Sequence, residues 1–347
     1  MQKKGNKYGT HRVISPKGVL PQPADKIDNN MDEIYDNEIL INVQTLNIDS
    51  ASFTDISTRA GGDKKKIAEI MMDIVAKQGK HRNPWTGSGG MLLGKVEKIG
   101  DALKGKIDLK VGDKIATLVS LSLTPLRIDK IKEIRSDVDQ VDIEGKAILF
   151  ESGIYAKIPT DLPEKLALSA LDVAGAPAQT AKLVKPGDTV LIIGAGGKSG
   201  MLCCYEAKKR AGVTGKVIGL CHGEKSAKRL EDLGFCDEVF TANATQPVPV
   251  LEKIEKLTDG KLCDVTINNV NINDTEMTSV LCTKDDGVVY FFSMATSFTK
   301  AALGAEGVGK DVTMIIGNGY TKGHAEITLQ ELRECPKLKK IFTELYA

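Results

Sequence analysis

A length of 347 residues predicts about two domains, and 41% apolar with 27% charged residues is typical of proteins with packed cores and charged surfaces. The 47 Lys and Arg residues balance 46 Asp and Glu residues, which argues against the basic field of a nucleic-acid-binding protein. No apolar run reaches the roughly 18 residues of a membrane span, and the polar N-terminus does not resemble a signal peptide.

The first half of the chain begins with residues rich in Pro, Gly, Asp and Asn, which predict irregular or edge structure. Residues 38–46 alternate apolar and polar side chains, as a half-buried strand does, and lead into a turn that presents Asp49. Residues 63–77 repeat apolar side chains at helical spacing, and Gly79 follows as a stop signal.

After a glycine-rich loop, the chain reads as short strands separated by turns. Residues 92–99 and 115–121 are predicted strands, whereas residues 126–142 are highly charged and less certain. Residues 147–158 predict a strand pair or one bent strand, with Glu151 inside an otherwise apolar run. These elements predict a small domain resembling a β-barrel.

From residue 165 the composition changes to Ala and Leu, and residues 165–183 predict a helix that contains Asp172. Beyond this helix, apolar strands alternate with amphipathic helices. Such alternation is typical of a parallel sheet covered by helices on both faces.

Seven cysteines lie in the second half of the chain, and none forms the C-x-x-C spacing of a zinc or redox motif. An odd number at irregular spacing does not favour a disulfide framework or a structural zinc cluster. We interpret them as buried free thiols, which places the protein in the reducing cytoplasm. They are Cys203, Cys204, Cys221, Cys236, Cys263, Cys282 and Cys335.

A glycine-rich turn joins an apolar strand at residues 190–193 to a helix, and a second apolar strand follows at residues 216–221. Such a turn lets the backbone approach a pyrophosphate, and the helix N-terminus offers free N–H groups to its charge. Glycine spacing alone also occurs in ordinary strand–helix turns, but the βαβ context favours a dinucleotide site. The predicted contacts are Gly194, Gly196, Gly197, Lys198, Ser199 and Gly200.

The end of the second strand bears on the choice between NAD and NADP. The acid that binds a ribose 2′-hydroxyl is missing from its usual position at the strand tip. His222, Lys225 and Arg229 can accept a 2′-phosphate, although Glu224 lies among them and Lys225 and Arg229 can equally be surface charges. The residues therefore permit NADP as well as NAD.

Four motifs share one family pattern: Val111-Gly-Asp-Lys114, Val184-Lys-Pro-Gly-Asp-Thr-Val190, Gly194-x-x-Gly197-x-x-Gly200 and Asp264-Val-Thr-Ile-Asn-Asn-Val270. In this order they resemble the medium-chain dehydrogenase/reductase family. The resemblance implies an α/β fold with a β-rich GroES-like catalytic domain and a doubly wound parallel Rossmann sheet. The implied boundaries are 1–160 for the catalytic domain, 161–310 for the Rossmann domain, and 311–347 for a return to the catalytic domain. It also implies that Asn268, Asn269 and Ser293 contact the cofactor.

Zinc-dependent members of this family carry a Cys, a His-Glu pair and a further Cys or His where this chain has Asp49, Gly90-Met91 and Ser169. The cysteines of the family's structural zinc are also missing, because no Cys precedes Cys203. Zinc is bound by nitrogen and sulfur donors in a tetrahedral set. The chain is therefore predicted to be zinc-free.

Residues 87–101, 123–126, 171–180 and 193–203 resemble an amine-oxidising branch of the family. That resemblance implies oxidative deamination of a small diamino acid, with release of ammonia and of a reduced cofactor, and it favours NAD. Such a reaction needs a carboxylate to take a proton from the ammonium, activate water and stabilise the cationic iminium.

Three carboxylates are candidates for this catalytic role. Asp49 takes the position of a lost zinc ligand, although it can instead cap a turn. Asp172 can instead cap a helix or form an ion pair, and Glu151 can instead be solvated on an edge strand.

The substrate's own carboxylate requires a partner, and Arg82 can bind it through two hydrogen bonds. Arg127 is a second candidate, although a surface charge is the simpler interpretation of both. Trp85 can wall the pocket beside Gly90, or it can pack in a core. His81 is a weaker acid–base candidate.

Two other functions remain open. One is a zinc-free quinone or enoyl reductase that reduces C=C bonds with NADPH, and the other is a dinucleotide-binding protein without turnover. Assembly into a dimer or tetramer through an edge strand of the Rossmann sheet is common in such folds, so a homo-oligomer is expected.

Overall fold

The computed structural model describes residues 2–293, 295–317 and 319–347, and the chain divides into two compact units, residues 1–168 and 169–347. A six-stranded antiparallel sheet forms the first unit, and a six-stranded parallel sheet forms the second. The α/β fold with a separate β-rich domain, expected from the sequence, is therefore confirmed.

The elements of the first unit, in chain order, are a 3-10 turn (Thr10–Arg12), β1 (Val13–Ser15), β2 (Lys26–Ile27), β3 (Glu38–Asn47), α1 (Ser50–Ala60), α2 (Lys64–Gln78), β4 (Met91–Ile99), β5 (Lys114–Thr117), β6 (Leu126–Arg135), β7 (Gln140–Phe150), β8 (Tyr155–Lys157) and α3 (Glu164–Leu171), which crosses the unit boundary. The large sheet has the strand order β6-β7-β3-β4-β5-β8, and β1 pairs separately with β2.

Strand β3 lies in the middle of this sheet and pairs antiparallel with β7 on one side and β4 on the other. The apolar residues Ile39, Ile41 and Val43 alternate along it and are buried in the main core of the unit. This alternation is what allowed the strand to be predicted, because successive side chains point to opposite faces of a sheet.

Helices α1 and α2 both begin at an aspartate that accepts hydrogen bonds from the first turn. The carboxylate of Asp49 accepts from the N–H of Ser52, and that of Asp63 accepts from the N–H groups of Lys65 and Lys66. Helix α2 ends at Gly79, which adopts a left-handed conformation as expected of a stop signal. Helix α1 was not predicted, because its buried apolar face consists of only Phe53, Ile56 and Ala60.

The charged segment at residues 126–142 forms strands β6 and β7 of a hairpin, which the sequence pattern did not reveal. The buried residues Ile128 and Ile134 of β6 are accompanied by the half-buried Ile131. Their spacing of three departs from the strand period because the register shifts twice, between residues 128 and 130 and between 131 and 133.

Residues 147–158 form the strand pair that the sequence allowed, β7 and β8, but Glu151 lies in the turn between the two strands and not in an apolar strand. Strand β7 ends at Phe150, and Glu151 is exposed with its carboxylate accepting a hydrogen bond from Asn37 Nδ2 at 3.2 Å. The chain turns here because β7 has reached the end of its partner β3, where Phe150 pairs with Glu38.

The second unit continues with α4 (Gly175–Leu183), β9 (Thr189–Ile193), α5 (Lys198–Ala211), β10 (Lys216–Cys221), α6 (Glu224–Leu233), β11 (Glu238–Thr241), α7 (Pro247–Leu257), β12 (Cys263–Asn268), α8 (Glu276–Cys282), β13 (Thr283–Phe291), α9 (Phe298–Val308), β14 (Val312–Ile316), α10 (His324–Glu334) and α11 (Pro336–Tyr346). Its strands are parallel in the order β11-β10-β9-β12-β13-β14. The order reverses between β9 and β12, which is where ligands bind in doubly wound sheets.

One expectation about this unit needs correction. Asp172 lies in the break between α3 and α4 and not within one continuous helix. The C-terminal residues 311–347 belong to the second unit, because β14 is hydrogen-bonded to β13 and α10 packs on α4 and α5.

Glu331 of α10 carries a buried carboxyl group that no described hydrogen bond compensates for its loss of water. It is fully buried, and neither carboxyl oxygen has a hydrogen-bond partner among the described residues. Burial raises its pKa well above the usual value, and the nearby carboxylate of Glu206 on α5 adds to this shift. Because the folded state retains a proton that the unfolded state releases, the stability contributed by Glu331 falls as pH rises above about 4.5.

We expect Glu331→Gln to raise the free energy of unfolding by about 1–3 kcal/mol at pH 8, because the amide never loses a proton. Urea denaturation of the variant and the wild-type protein at pH 5 and pH 8 measures this, and the difference is expected to grow with pH. Glu334→Gln is the matched control, since Glu334 is ion-paired with Lys209 at 2.6 Å and its pKa is lowered. A Glu331→Gln protein that is less stable than wild type at pH 8 would contradict the assignment.

All seven cysteines are free thiols, as the sequence predicted, and all but Cys236 are buried. Across residues 2–293, 295–317 and 319–347, no helix combines the length and the apolar character needed to cross a membrane.

Candidate active site

Asp49 in the first unit has one carboxylate oxygen in use and one without a partner. Oδ1 accepts a hydrogen bond from the N–H of Ser52 at 2.9 Å and thereby caps α1. Oδ2 is buried and has no hydrogen-bond partner among the described residues. Asp49 therefore has a capping role, which the sequence left open for a turn and the structure shows at a helix. Its Oδ2 is an additional acceptor without a partner among the described residues.

His81 is completely buried, and neither ring nitrogen has a hydrogen-bond partner within the part of the chain that the structure describes. Burial lowers its pKa to about 4, while the charge of Asp49 and the backbone of Gly89 act in the opposite direction. His81 is therefore a neutral imidazole at physiological pH.

The loop that carries His81 is attached to helix α1 by side-chain hydrogen bonds. Buried Asn83 donates to the backbone oxygen of Ser52 at 3.3 Å and to Asp55 at 3.2 Å. The hydroxyl groups of Ser52 and Thr86 are 2.6 Å apart. These bonds hold the loop against the N-terminal turn of the helix that Asp49 caps.

Gly90 is required by close packing at the end of this loop. Its φ is +94°, and a Cβ atom there would lie 2.1 Å from the backbone oxygen of Asn47 and 2.8 Å from the nitrogen of Asp49. Any side chain would push the loop away from the strand end. Gly90 therefore brings the loop against the backbone of Asp49.

The three side chains predicted to bind substrate, Arg82, Trp85 and Arg127, differ in the ion pairs and stacking contacts that they make. Arg127 is ion-paired with Asp129 at 2.9 Å and with Asp32 at 3.8 Å, whereas the described residues offer the guanidinium of Arg82 no ion pair. The exposed Trp85 stacks against the guanidinium of Arg59 with 3.4 Å to the ring centroid.

Trp85 borders a cavity of about 500 Å³ whose other walls are Pro84 and residues of α2. Neither Asp49 nor His81 lines this cavity.

Glu151 and Asp49 are too far apart to act on one substrate molecule. Glu151 follows Phe150, which pairs with Glu38 at the start of β3, whereas Asp49 follows the end of the same strand. At about 3.3 Å per residue, the ten-residue strand separates them by roughly 30 Å.

The glycine turn of the second unit has the geometry of a phosphate-binding loop. Strand β9 ends at Ile193, and α5 begins at Lys198 with no side chain capping its N-terminus. A Cβ atom at Gly200 would lie only 2.1 Å from the backbone oxygen of Gly194, so the helix approaches the turn as closely as glycine allows. The first-turn N–H groups of α5 can therefore hold a phosphate, together with the predicted neighbours Gly196, Gly197 and Ser199.

Lys198 and Asp172, which were predicted to have separate roles, form an ion pair at 2.6 Å. Both side chains are largely buried, with 24% and 19% of their surface exposed. The ammonium of Lys198 is thus held at the first residue of α5 by Asp172.

At the end of β10, His222 and Lys225 are exposed, whereas Arg229 donates to the backbone oxygen of Gly196 at 3.3 Å. The carboxylate of Glu224 accepts a hydrogen bond from the hydroxyl of Thr241, the last residue of β11, at 2.9 Å. The carboxylate of Glu224 is therefore held beside the end of β10, although Glu224 does not occupy the strand-tip position of the acid that usually binds a ribose 2′-hydroxyl.

The residues at the ends of β12 and β13 differ in how many of their side-chain polar atoms form hydrogen bonds. Asn268 is fully used inside the fold, because its amide donates to Thr275 and Ser279 and accepts from the N–H of Val270. Asn269 accepts from the thiol of Cys203 at 3.8 Å, and its buried Nδ2 has no partner among the described residues.

The hydroxyl of Ser293, which follows β13, accepts from the N–H of Ala295 at 3.1 Å. Of the three residues expected beside the cofactor, Asn269 alone keeps a buried amide group that the described part of the chain does not use.

Sequence reasoning did not predict the complete burial of His81, nor the contacts of Ser52, Asn83 and Thr86 in the first unit and of Cys203 and Thr241 in the second. Their contacts join residues distant in sequence, such as Cys203 and Asn269. The only available signal was a histidine next to a glycine-rich loop. No group of three or more His, Cys, Asp or Glu side chains that could hold a metal occurs in the described ranges.

Comparison with known proteins identifies the family of this chain. Residues 11–159 match the family model described as the L-erythro-3,5-diaminohexanoate dehydrogenase N-terminal domain. Proteins named L-erythro-3,5-diaminohexanoate dehydrogenase from Acetoanaerobium sticklandii and Fusobacterium nucleatum are 67% and 63% identical, and each match covers 99% of both chains.

The solved structure of Escherichia coli quinone oxidoreductase complexed with NADPH shares the fold at 17% identity with a TM-score of 0.50. That match covers 90% of this chain and 81% of that one. This likeness shows the fold alone. The identity with the two relatives extends over both units, and the chain belongs to the L-erythro-3,5-diaminohexanoate dehydrogenase family.

Proposed function

We propose that the protein catalyses the oxidative deamination of L-erythro-3,5-diaminohexanoate to 5-amino-3-oxohexanoate, with release of ammonia, in lysine fermentation. The observation that carries this proposal is 67% identity with an enzyme of that name over 99% of both chains. The site agrees with it, because a carboxylate with an unused oxygen takes the place of a zinc ligand.

Asp49 is the proposed general base. Its free Oδ2 accepts a proton from the substrate ammonium, because only a neutral amine can release hydride from its carbon. Once this proton has passed on to solvent, the carboxylate is charged again, so it stabilises the cationic iminium and orients the water that adds to the C=N bond. Loss of ammonium from the adduct leaves the ketone, so the reaction consumes one water and releases one proton.

The cofactor is a nicotinamide nucleotide, which accepts the hydride from the amine-bearing carbon when it is bound. The glycine turn and the uncapped N-terminus of α5 fit its pyrophosphate. Asn269 offers its unused Nδ2 at the end of β12. Zinc has no place in this proposal, because its family positions hold Asp49, Gly90 and Ser169.

We propose NAD as the preferred nucleotide. The carboxylate of Glu224, held by Thr241, can accept a hydrogen bond from a ribose 2′-hydroxyl and repels a 2′-phosphate. His222 and Lys225 leave NADP usable at higher concentration.

Arg82 is the proposed partner of the substrate carboxylate, since Arg127 is already ion-paired and the described residues leave Arg82 unpaired. Trp85 remains a proposed wall of the substrate region. Glu151 is not part of this proposal, because it lies at the opposite end of β3 from Asp49.

Asp172 acts through Lys198 in this proposal. Asp172→Asn is expected to raise KM for NAD about 5- to 10-fold, because the ammonium loses the anion that holds it beside the pyrophosphate loop. Steady-state kinetics with each substrate varied in turn measures this, and KM for the diamino acid is expected to change less than two-fold. Lys208→Gln, which breaks the exposed pair with Asp237, is the control. A fall in kcat without a change in KM for NAD would instead assign Asp172 to the chemical step.

The edge strand β14 is the proposed contact in a homodimer. It pairs on one side with β13 and presents unpaired backbone groups on the other. Exposed apolar side chains lie on α9 and around β14, namely Phe298, Leu303, Val308, Ile316 and Tyr320.

Such a surface fits a second copy of the chain, because antiparallel pairing of two identical edges extends the sheet. Analytical ultracentrifugation is expected to give twice the 37.3 kDa chain mass, and Ile316→Lys a monomer. Val213→Lys, at a fully exposed site outside this surface, should remain dimeric. A wild-type monomer would overturn the dimer.

A reducing compartment fits the seven free thiols, and we propose that the enzyme works in the cytoplasm.

The proposed reaction is tested by incubating the protein with L-erythro-3,5-diaminohexanoate and NAD or NADP. Reduced nicotinamide and ammonia are expected in equal amounts, with a higher kcat/KM for NAD. The rival quinone reductase would instead oxidise NADPH with quinones and release no ammonia. Binding of the nucleotide with no turnover of the diamino acid would overturn the proposed function.

A further inference from the structure

Two polar groups at the end of β3 are buried without hydrogen-bond partners. They are Oδ2 of Asp49 and the imidazole of His81, whose two nitrogens are both unused within the described residues. A buried polar group without a partner costs about 1–3 kcal/mol. Folded proteins rarely retain such groups, and those that remain require a ligand, a water or a catalytic role.

The two groups belong to one site. The charge of Asp49 acts on the imidazole of His81, so the two side chains lie within electrostatic range. Two adjacent glycines pack against the two residues, one against each: a Cβ atom at Gly89 would lie 2.3 Å from the backbone oxygen of His81, and one at Gly90 would lie 2.8 Å from the backbone nitrogen of Asp49.

The chemistry of the pair restricts what can bind there. A carboxylate repels anions, and an apolar group would leave both polar side chains unsatisfied. A neutral imidazole provides an acceptor nitrogen, and the free carboxylate oxygen provides a charged one. A ligand with several N–H donors and a positive charge satisfies both, which describes a primary ammonium.

We propose that Asp49 and His81 together form the binding site for the amino group that is oxidised. This inference rests on the proposed deamination and adds a second residue to its substrate site. His81 accepts one N–H of the ammonium while Asp49 accepts another. After the ammonium has given a proton to Asp49, His81 still holds the neutral amine, and it is therefore a positioning residue.

The test measures binding of L-erythro-3,5-diaminohexanoate to the complex with NADH by calorimetry, separately from turnover. His81→Phe keeps a planar aromatic ring and removes both nitrogens, and it is expected to raise Kd for the diamino acid about 10- to 100-fold. Kd for NADH should change less than two-fold. His81→Gln, which retains a side-chain acceptor, should recover part of the affinity.

His324→Phe is the matched control, because His324 is also buried but lies on α10 of the second unit. Its Kd for the diamino acid should equal that of the wild-type protein. His81→Phe should unfold at the same or a higher urea concentration, because it removes an unsatisfied polar group, and this separates a binding role from a structural one.

Wild-type affinity in His81→Phe would overturn the site, and so would a failure of the wild-type complex to bind the diamino acid. The release of ammonia and reduced nicotinamide during turnover tests the proposed function separately. A wild-type enzyme that turns over while His81→Phe binds normally would refute this inference alone. Tight wild-type binding that is lost in His81→Phe, without ammonia release, would support the site and refute the deamination.

Discussion

Asp49→Asn is expected to lower kcat about 10²- to 10⁴-fold, because general-base catalysis contributes that much and an amide does not take a proton from an ammonium. The fold should tolerate the change. Asn caps a helix about as well as Asp, so its side-chain oxygen can still accept the hydrogen bond from the N–H of Ser52. Stopped-flow or steady-state measurement of nicotinamide reduction at saturating NAD and diamino acid gives the effect directly.

Asp63→Asn is the matched control for this prediction. Asp63 caps α2 in the same way, accepting from Lys65 and Lys66, but it is not part of the candidate site. Both variants should unfold within about 0.5 kcal/mol of wild type. Asp49→Asn with kcat within three-fold of wild type would show that another group is the base, and equal losses in both variants would point to a general effect of helix capping.

The second large effect is expected in the free energy of unfolding, which His81 should lower at acidic pH. The folded state holds the pKa of His81 near 4, whereas the unfolded chain has the ordinary value of 6.5. The unfolded state therefore binds more protons between these values, so the contribution of His81 is complete above pH 6.5 and is lost as pH falls toward 4. A difference of this size corresponds to about 3 kcal/mol when the titration is complete.

Urea denaturation between pH 7.5 and 4.5 measures this loss as the difference between the wild-type protein and His81→Phe, which has no titrating group at this position. The pKa of His324 is also lowered by burial, and it contributes to both proteins equally. Parallel stability curves for the two proteins would mean that His81 is protonated in the folded state or exposed to solvent.

Much of the fold could be predicted because local patterns agreed with it. The βαβ unit around Gly194 combines a strand with an apolar run, a glycine turn and a helix, and all three were visible in the sequence. The amphipathic helix α2 carried its own start and stop signals in Asp63 and Gly79. The hairpin of β6 and β7 was not visible, because two register shifts in β6 break the alternation that identifies a strand.

The sheet partner of the C-terminal strand could not be predicted, for a different reason. Strand β14 has an apolar sequence that fits any sheet, and its partner is decided by hydrogen bonds to β13. Asp172 was placed in a helix because the apolar periodicity continues on both sides of it, whereas the chain breaks there and aims the carboxylate at Lys198.

By itself, the sequence determined the fold class, the glycine turn that we propose binds the nucleotide, the residues that stand at the positions of the family's zinc ligands, and Asp49 as a catalytic candidate. These features depend on residue type and spacing along a short segment, which the linear chain displays directly. Only the tertiary structure decided which candidates belong together. It paired Asp172 with Lys198, separated Glu151 from Asp49 by the length of β3, and buried Oδ2 of Asp49 and the imidazole of His81 near two adjacent glycines. Such contacts join residues far apart in sequence, and hydrogen bonding and burial arise only when the chain has folded.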